Sequence, residues 1–241
     1  MSKPLLFLAL GVVLFVGKPK TCLSQGGLKK TYTAQRITQQ TPNIDGVLDD
    51  ATWQNQNWGG NFTQTQPHDG QTPSQKTEFM IQYDDNFLYA AFKMYDTEPS
   101  KIVGRITRRD DIEGDWVALG IDSYNDKRTA FGFVVNAAGS KLDLMNTENG
   151  DREDSNWDPI WFVKTARFDW GWSAEMKIPL NQLRFKVVDD MTWGLEIIRN
   201  IYRIQEESMW QHIPKDSPGF VHMFGELKGL EGLKPKRQIE V

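Results

Sequence analysis

Apolar and polar side chains alternate with a period of two residues along much of the chain. Such alternation puts successive side chains on opposite faces and is typical of β-strands that bury one face. It occurs twice within residues 77–95, on both sides of Asp84-Asp85-Asn86, whose side chains favour a turn, so we predict a hairpin there. A second hairpin is predicted at Asp169-Trp170-Gly171, between the apolar rows of residues 161–165 and 172–178.

Three further apolar rows, at residues 117–121, 131–135 and 195–197, predict more buried strands. Helix is scarce, with single turns expected only at Asp49–Trp53 and Pro179–Leu183. Many short strands separated by turn residues favour an all-β fold, a two-sheet antiparallel β-sandwich. The residues predicted to lie buried between its sheets are Phe79, Phe92, Leu119, Phe133, Met176 and Leu195.

The first 24 residues have the features of a secretory signal peptide. After a positively charged start, Leu5–Val16 forms an apolar run of 12 residues, shorter than the roughly 20 that span a membrane. Ser24 supplies a small residue before an expected cleavage at Gln25, so we expect an exported protein of the periplasm, the outer membrane or the cell surface. The alternative is a lipoprotein anchored through Cys22, although Pro19-Lys20-Thr21 lacks the residues expected before a lipidated cysteine.

Cleavage of this signal peptide changes the charge and the redox chemistry of the chain. The formal net charge falls from −4 to −7, because residues 1–24 hold three lysines and no acidic residue. Nucleic-acid binding requires clustered Lys and Arg, so an acidic exported domain is a poor candidate for it. Cleavage also removes Cys22, the one cysteine, and the remaining domain must rely on its apolar core.

Four segments, taken in order over residues 42–230, resemble the family 9 carbohydrate-binding module. They are Ile44-Asp45-Gly46-Val47-Leu48-Asp49-Asp50-Ala51-Thr52-Trp53, Tyr83-Asp84-Asp85-Asn86-Phe87-Leu88-Tyr89, Asp115 to Asp122, and Phe224-Gly225-Glu226-Leu227. The resemblance implies a jelly-roll-like β-sandwich and a non-catalytic module that binds carbohydrate.

A narrower resemblance is to a bacterial outer-membrane family in which such a domain precedes a β-barrel of unknown function. The motifs are Trp172-Ser173-Ala174-Glu175-Met176-Lys177-Ile178-Pro179, Leu183-Arg184-Phe185 and Trp193-Gly194-Leu195-Glu196. This resemblance implies a junction toward a barrel at residues 231–241. We therefore expect a signal peptide (1–24), a polar lead-in with an edge strand near 32–37 (25–41), the β-sandwich (42–230) and the junction (231–241).

The sugar site of the family 9 module does not carry over to this sequence. In that family two tryptophans sandwich a terminal sugar, because an aromatic face packs on the C–H groups of a pyranose while polar side chains bind its hydroxyls. The matching clamp positions here are Ile112 and Pro218. The positions of the family's glutamate, arginine and glutamine are occupied here by Ala118, Val134 and Ile198.

The second face of the predicted central strands is less polar than expected for a sheet face that is exposed to solvent. It carries Trp116, Ala118, Gly120, Val134, Asn136, Glu196, Ile198 and Asn200. An exposed apolar patch marks a binding surface, whereas the alternative is that a loop covers this face. The candidate ligand-binding residues are Trp116, Asn136 and Asn200 on this face, Trp157 in a loop, and Arg109 in the charged run 108–111.

Clusters of Asp and Asn make calcium a candidate cofactor, because calcium takes roughly six to eight oxygen ligands. The carboxylates selected for such a site are Asp110, Asp111, Asp115, Asp122 and Asp126. Turn chemistry explains the same residues equally well.

No motif indicates catalysis, since the three histidines fit no metal-ligand spacing and no nucleophile elbow is present. We therefore expect a non-catalytic, carbohydrate-binding-like module of an exported envelope protein, with a glycan or oligosaccharide as its ligand. One alternative is an interaction or plug domain that docks on an outer-membrane β-barrel and binds no sugar. A weaker alternative is a haem domain that uses Met80, Met94, His212 or His222.

Overall fold

The computed structural model describes residues 28–38, 40–54, 56–109 and 111–234. The strands in these ranges are β1 (Thr31–Thr33), β2 (Gln35–Arg36), β3 (Thr63–Gln66), β4 (Thr77–Tyr83), β5 (Phe87–Tyr95), β6 (Trp116–Asp122), β7 (Ala130–Asn136), β8 (Lys141–Thr147), β9 (Arg152–Asp154), β10 (Phe162–Phe168), β11 (Gly171–Pro179), β12 (Trp193–Ile201), β13 (Glu206–Met209) and β14 (Gly225–Lys228). The described helices are single 3-10 turns at Ala51–Trp53, Pro99–Lys101, Glu148–Gly150, Leu180–Gln182, Tyr202–Ile204 and Val221–Met223. Over these residues, no helix has the length and apolar character needed to cross a membrane.

The strands form two sheets that pack face to face. The nine-stranded sheet runs β1-β14-β12-β6-β7-β8-β9, and β13 pairs with both β12 and β3. The five-stranded sheet has the order β10-β11-β5-β4-β2. Neighbouring strands are antiparallel except at two edges, where β1 pairs with β14 and β2 pairs with β4 in parallel. The prediction of an all-β sandwich is confirmed.

The predicted core and both predicted hairpins are also confirmed. Strands β4 and β5 form one hairpin, in which the Asp84 carboxylate accepts hydrogen bonds from the N–H groups of Asn86 and Phe87. Strands β10 and β11 form the other, closed by the pairing of Phe168 with Gly171. All six residues named for the core have 0% exposure: Phe79, Phe92, Leu119, Phe133, Met176 and Leu195.

Residues 28–38 are part of the sandwich, because they contribute an edge strand to each sheet. The single edge strand expected near 32–37 is divided between β1 and β2, since Ala34 donates its N–H to the carbonyl of Lys228 and Ile37 donates to Tyr83 in the other sheet. Tyr32 anchors the segment, because its hydroxyl accepts a hydrogen bond from the N–H of Ile81 at 3.0 Å. The residues predicted as signal peptide, including Cys22, lie outside the described residues.

The charged side chain of Arg199 lies between the two sheets. Its guanidinium donates to the carbonyls of Lys76 (2.8 Å) and Tyr95 (2.7 Å) and to the hydroxyl of Thr77 (3.1 Å). Burial lowers the pKa of Arg199 to about 10, so this side chain still carries its charge near neutral pH. Arg199 therefore joins β12 of one sheet to the β4–β5 hairpin of the other.

The middle of the outer face of the five-stranded sheet is covered by the segment around Trp53. This tryptophan packs against Met80, Tyr89 and Ala91. Its indole N–H donates to the buried Glu175 carboxylate at 2.7 Å. Burial raises the pKa of Glu175 to about 7. This part of the face is therefore closed by packing and by a buried hydrogen bond.

The outer face of the nine-stranded sheet is covered only in part. The 3-10 turn Val221–Met223 and its neighbours bury Phe224 and Val221 against Ala130 and Ile213. The sequence left open whether this face is an exposed binding surface or is covered by a loop. A loop covers the region near Phe224, and the remainder lies open as a groove.

Candidate functional site

The groove has a volume of about 460 Å³ and crosses four adjacent strands of the nine-stranded sheet. Its floor includes a row of directly paired residues, because Ile198 of β12 pairs with Ala118 of β6, Ala118 with Val134 of β7, and Val134 with Leu142 of β8. Side chains at paired positions share one face of a sheet. The floor at this row is therefore aliphatic across its whole width.

A second row of paired residues contains two glycines. Glu196 pairs with Gly120, Gly120 with Gly132, and Gly132 with Leu144. A methyl group at Gly120 would lie 3.1 Å from the Phe224 ring, and one at Gly132 would lie 2.9 Å from Leu144 Cδ1. The glycines therefore make room for the side chains that close this end of the groove.

Aromatic side chains stand at the sides of the groove. Trp116, at the start of β6, lines it together with Phe220 and Phe224. The rings of Phe220 and Phe224 contact each other edge to face, with centroids 5.0 Å apart. Such contacts hold aromatic rings in defined orientations. The groove thus offers an aliphatic floor between aromatic side chains.

Few polar side chains line the groove, and one of them is unusual. Glu196 has 0% exposure, and its Oε1 accepts hydrogen bonds from the N–H groups of Ile197 and Gln211, both at 3.0 Å. Its Oε2 is buried and has no hydrogen-bond partner among the described residues. Burial raises the pKa of Glu196 to about 8, so the carboxyl group is mostly protonated at pH 7.

Two of the predicted ligand-binding residues lie at or beside this groove. Trp116 lines it, and Asn200 is its directly paired neighbour on β12. The Asn200 side chain is half-buried and donates a hydrogen bond to the carbonyl of Gly114 at 3.1 Å. Among the predicted ligand-binding residues, Trp116 is therefore the one that is best placed to contact a ligand in the groove.

Asn136 pairs with Trp116 from the other side but has a structural role. Its amide nitrogen donates to the carbonyls of Arg105 and Glu113. Its amide oxygen accepts hydrogen bonds from the N–H groups of Ala138 and Ser140. The side chain is fully buried and its hydrogen-bonding groups are occupied by the loop before β6 and by the turn after β7, so Asn136 is not placed to bind a ligand.

Trp157 and Arg109 belong to the other side of the sheet. The Trp157 ring contacts two core rings, Phe131 at 4.8 Å and Phe133 at 5.5 Å. Arg109 pairs with the buried Asp143 carboxylate at 3.0 Å. Neither side chain is among the described residues that line the groove. The sequence predicted Trp157 and Arg109 to bind ligand together with Trp116. Both lie in loops, where strand alternation does not indicate which face of a sheet a side chain occupies.

Three of the proposed calcium ligands accept hydrogen bonds from backbone N–H groups. Buried Asp115 accepts a hydrogen bond from the N–H of Tyr202, and Asp122 accepts one from Lys127. Asp126 accepts two, from the N–H groups of Arg128 and Thr129. Asp111 is exposed, and Asp110 lies outside the described residues. In the part of the chain that the structure describes, no three His, Cys, Asp or Glu side chains gather at one place that could hold a metal ion.

The residues considered for haem are also separated. Met80 packs in the cluster around Trp53, whereas Met94 lies in the core between the sheets. His212 contacts Asp69, and His222 contacts Asn149. These four residues therefore form no common site.

Sequence reasoning missed several groove residues. Ile112, the first clamp position, does line the groove, but Pro218, the second, is exposed and lies outside its lining. Phe220, two residues after Pro218, supplies an aromatic ring instead. Its position in a Gly- and Pro-containing loop was the available signal, since loop aromatics often contact ligands.

Comparison with known proteins identifies relatives by structure alone. No protein-family model matches the chain. A search of curated proteins finds no significant match. The fold is similar to that of a family 9 carbohydrate-binding module from Caldicellulosiruptor kristjanssonii, solved in complex with cellotriose and with glucose. Both structures have a TM-score of 0.59 and 20% identity, and they cover 86% and 88% of this chain and 95% and 99% of the neighbouring chains.

A candidate carbohydrate-binding protein from Bacteroides uniformis is similar as well. It has a TM-score of 0.62 and 15% identity over 83% of this chain and 99% of that chain. At these identities the similarity establishes the fold. The chain therefore has the β-sandwich of the family 9 carbohydrate-binding modules, as its sequence motifs implied.

Proposed function

We propose that this chain is a non-catalytic module of an exported protein and that it binds a glycan in the groove. The observation that carries the proposal is the aliphatic row Ile198-Ala118-Val134-Leu142, flanked by Trp116 and Phe220. A pyranose packs its C–H face on such a surface. The sugar complexes of the structural neighbours with glucose and cellotriose support the same class of ligand.

The mode of binding differs from a sandwich of two tryptophans. Trp116 is the one tryptophan among the described residues that line the groove, and the paired floor positions Ala118, Val134 and Ile198 offer no polar side-chain atoms. Glucose, cellobiose and xylobiose would leave several hydroxyls without partners on this floor. We expect their dissociation constants to be no tighter than about millimolar, which corresponds to about −4 kcal/mol.

Export is supported by the first 24 residues and by the acidic charge that remains after their removal. Mass spectrometry of the mature chain from the cell envelope tests this part. An N-terminus at Gln25 is expected. A lipid on Cys22 would show instead that the protein is anchored to a membrane.

A glycan array probed with the mature chain, followed by calorimetry on the best ligands, tests sugar binding. The variant Ala118→Trp fills the middle of the groove and should abolish binding, since the indole would occupy the space of the sugar ring. Lys164→Trp is the matched control, because Lys164 is exposed on β10 of the other sheet. The proposal fails if no glycan binds, or if Ala118→Trp binds as tightly as Lys164→Trp.

A further inference from the structure

We infer that the groove selects an acyl-substituted sugar, whose acyl carbonyl accepts a hydrogen bond from the Glu196 carboxyl group while its alkyl part packs on the aliphatic floor. This inference rests on the proposed function and names the class of glycan that the site takes.

The groove contains many more apolar than polar groups. Every floor position on the two paired rows other than Glu196 carries an aliphatic side chain or none: Ile198, Ala118, Val134, Leu142, Gly120, Gly132 and Leu144. A hydroxyl buried without a partner costs about 1–3 kcal/mol. Acylation replaces the hydrogen of a hydroxyl or amine with a carbonyl and an alkyl group, so it removes part of this cost and adds apolar contact.

Glu196 has one carboxyl oxygen with hydrogen-bond partners and one without. Two backbone N–H groups, from Ile197 and Gln211, already donate to Oε1. When the carboxyl group is protonated, the proton therefore resides on Oε2, which has no partner in the described part of the chain. A buried donor without an acceptor is rare in folded proteins and often marks a functional site. An acyl carbonyl supplies the acceptor, and in an O-acyl sugar it brings no further donor to satisfy.

Phe224 is a neighbour of Glu196 at the closed end of the groove. A methyl group at Gly120 would lie 3.1 Å from the Phe224 ring and 3.7 Å from Glu196 Cβ, so the ring lies over the floor beside Glu196. Oε2 has no solvent contact in the free chain. The acyl group therefore reaches Oε2 only when side chains at this end of the groove move, and the ligand is then held there.

The charges around the groove favour an uncharged ligand. Glu153 lines the groove and repels anions. Lys30 is the cation that acts on Glu196, but its ammonium group donates to the carbonyls of Asn61 and Trp210 and not to the carboxyl group. An N-acyl or O-acyl sugar is neutral and matches a neutral carboxylic acid, whereas a uronic acid or a phosphorylated sugar does not.

Calorimetry with matched pairs of sugars tests the inference on the full mature chain. The pairs are glucose with N-acetylglucosamine, and cellobiose with N,N′-diacetylchitobiose; 6-O-acetylglucose probes the ester form. We expect each acylated sugar to bind at least about tenfold more tightly than its unsubstituted partner. Equal or tighter binding of the unsubstituted sugars overturns the inference and leaves the proposed function standing, whereas no binding of any sugar overturns both.

Two variants separate the role of Glu196 from simple packing. In Glu196→Gln the amide NH₂ takes the place of the protonated oxygen, so the preference for acylated sugars should persist at pH 7 and stay constant up to pH 9. In the wild type the preference should fall over the same pH range, as Glu196 loses its proton. In Glu196→Leu, which keeps volume and removes the donor, the preference should disappear. A wild-type preference that does not change with pH, or that survives in Glu196→Leu, contradicts the role given to this carboxyl group.

Discussion

Arg199 on β12 donates a hydrogen bond to the carbonyl of Tyr95 on β5 at 2.7 Å, across the interior of the sandwich. The same guanidinium bonds to Lys76 and Thr77 at the start of β4. The alternation of β12 places residue 199 on the core face, where Leu195 and Ile197 also lie. A charged residue in this position is stable because backbone carbonyls of the opposite sheet accept its hydrogen bonds.

Replacement of Arg199 by Met should therefore destabilise the fold by about 3 kcal/mol, since it leaves buried carbonyls without donors. Arg36→Met is the matched control, because Arg36 pairs with the exposed Asp85 and such pairs contribute about 0–1 kcal/mol. Urea unfolding of both variants measures the difference. Equal losses would contradict the bridging role of Arg199.

Phe133→Ala should cost about 3–5 kcal/mol of unfolding free energy, because it removes a fully buried ring that contacts Trp157 and Trp161. Chemical denaturation of the purified chain gives this value. A loss below about 1 kcal/mol would show that the 131–135 row is not the centre of the core.

Trp116→Ala should weaken binding of the best glycan by about 1–3 kcal/mol, since the indole supplies the largest ring at the open part of the groove. Trp170→Ala serves as the control, because Trp170 stacks on Phe168 at the β10–β11 turn of the other sheet. Isothermal titration calorimetry distinguishes the two variants. Similar affinities for both would place the ligand elsewhere on the chain.

The stability of the chain should depend on pH through Glu196. Its pKa is raised from 4.5 to about 8 in the folded chain, so between these pH values the folded state holds a proton that the unfolded state has released. The free energy of unfolding therefore falls as pH rises from about 5 to about 8, by at most about 1.4 kcal/mol per pH unit for this group.

Urea titrations of the wild type and Glu196→Gln at pH 5, 6, 7 and 8 measure this dependence. The variant cannot lose a proton at this position, so its stability relative to the wild type should increase with pH. Glu175, whose pKa is also raised, is present in both proteins and contributes equally to both curves. Parallel curves would show that Glu196 does not hold its proton in the folded chain.

Much of the fold follows from the sequence because it depends on local alternation. The period-two rows at 77–95 and 161–178 fixed which side chains face inward, and Phe79, Phe92 and Met176 are fully buried as expected. The pairing partners of the edge strands β1 and β2 were less evident from the sequence. Each is parallel to a strand distant in sequence, β14 and β4, and such pairing leaves no signal in the local pattern.

The candidate site also has one part that the sequence predicted and another part that it did not. Alternation alone placed Trp116, Ala118, Val134, Glu196 and Ile198 on one face, and the structure keeps them there. Asn136 shares that face, yet its amide nitrogen donates to the carbonyls of Arg105 and Glu113, which lie in the loop before β6.

The sequence by itself determined the all-β class, the hairpins, the core rows and the apolar character of the binding face, since each is a property of residues close together in the chain. Only the tertiary structure decided which residues close the groove and what state Glu196 adopts. Phe224 lies over Gly120, and the N–H of Gln211 reaches Glu196 Oε1 at 3.0 Å. A raised pKa and an unpaired oxygen arise from burial by such distant segments, and burial is decided when the whole chain packs.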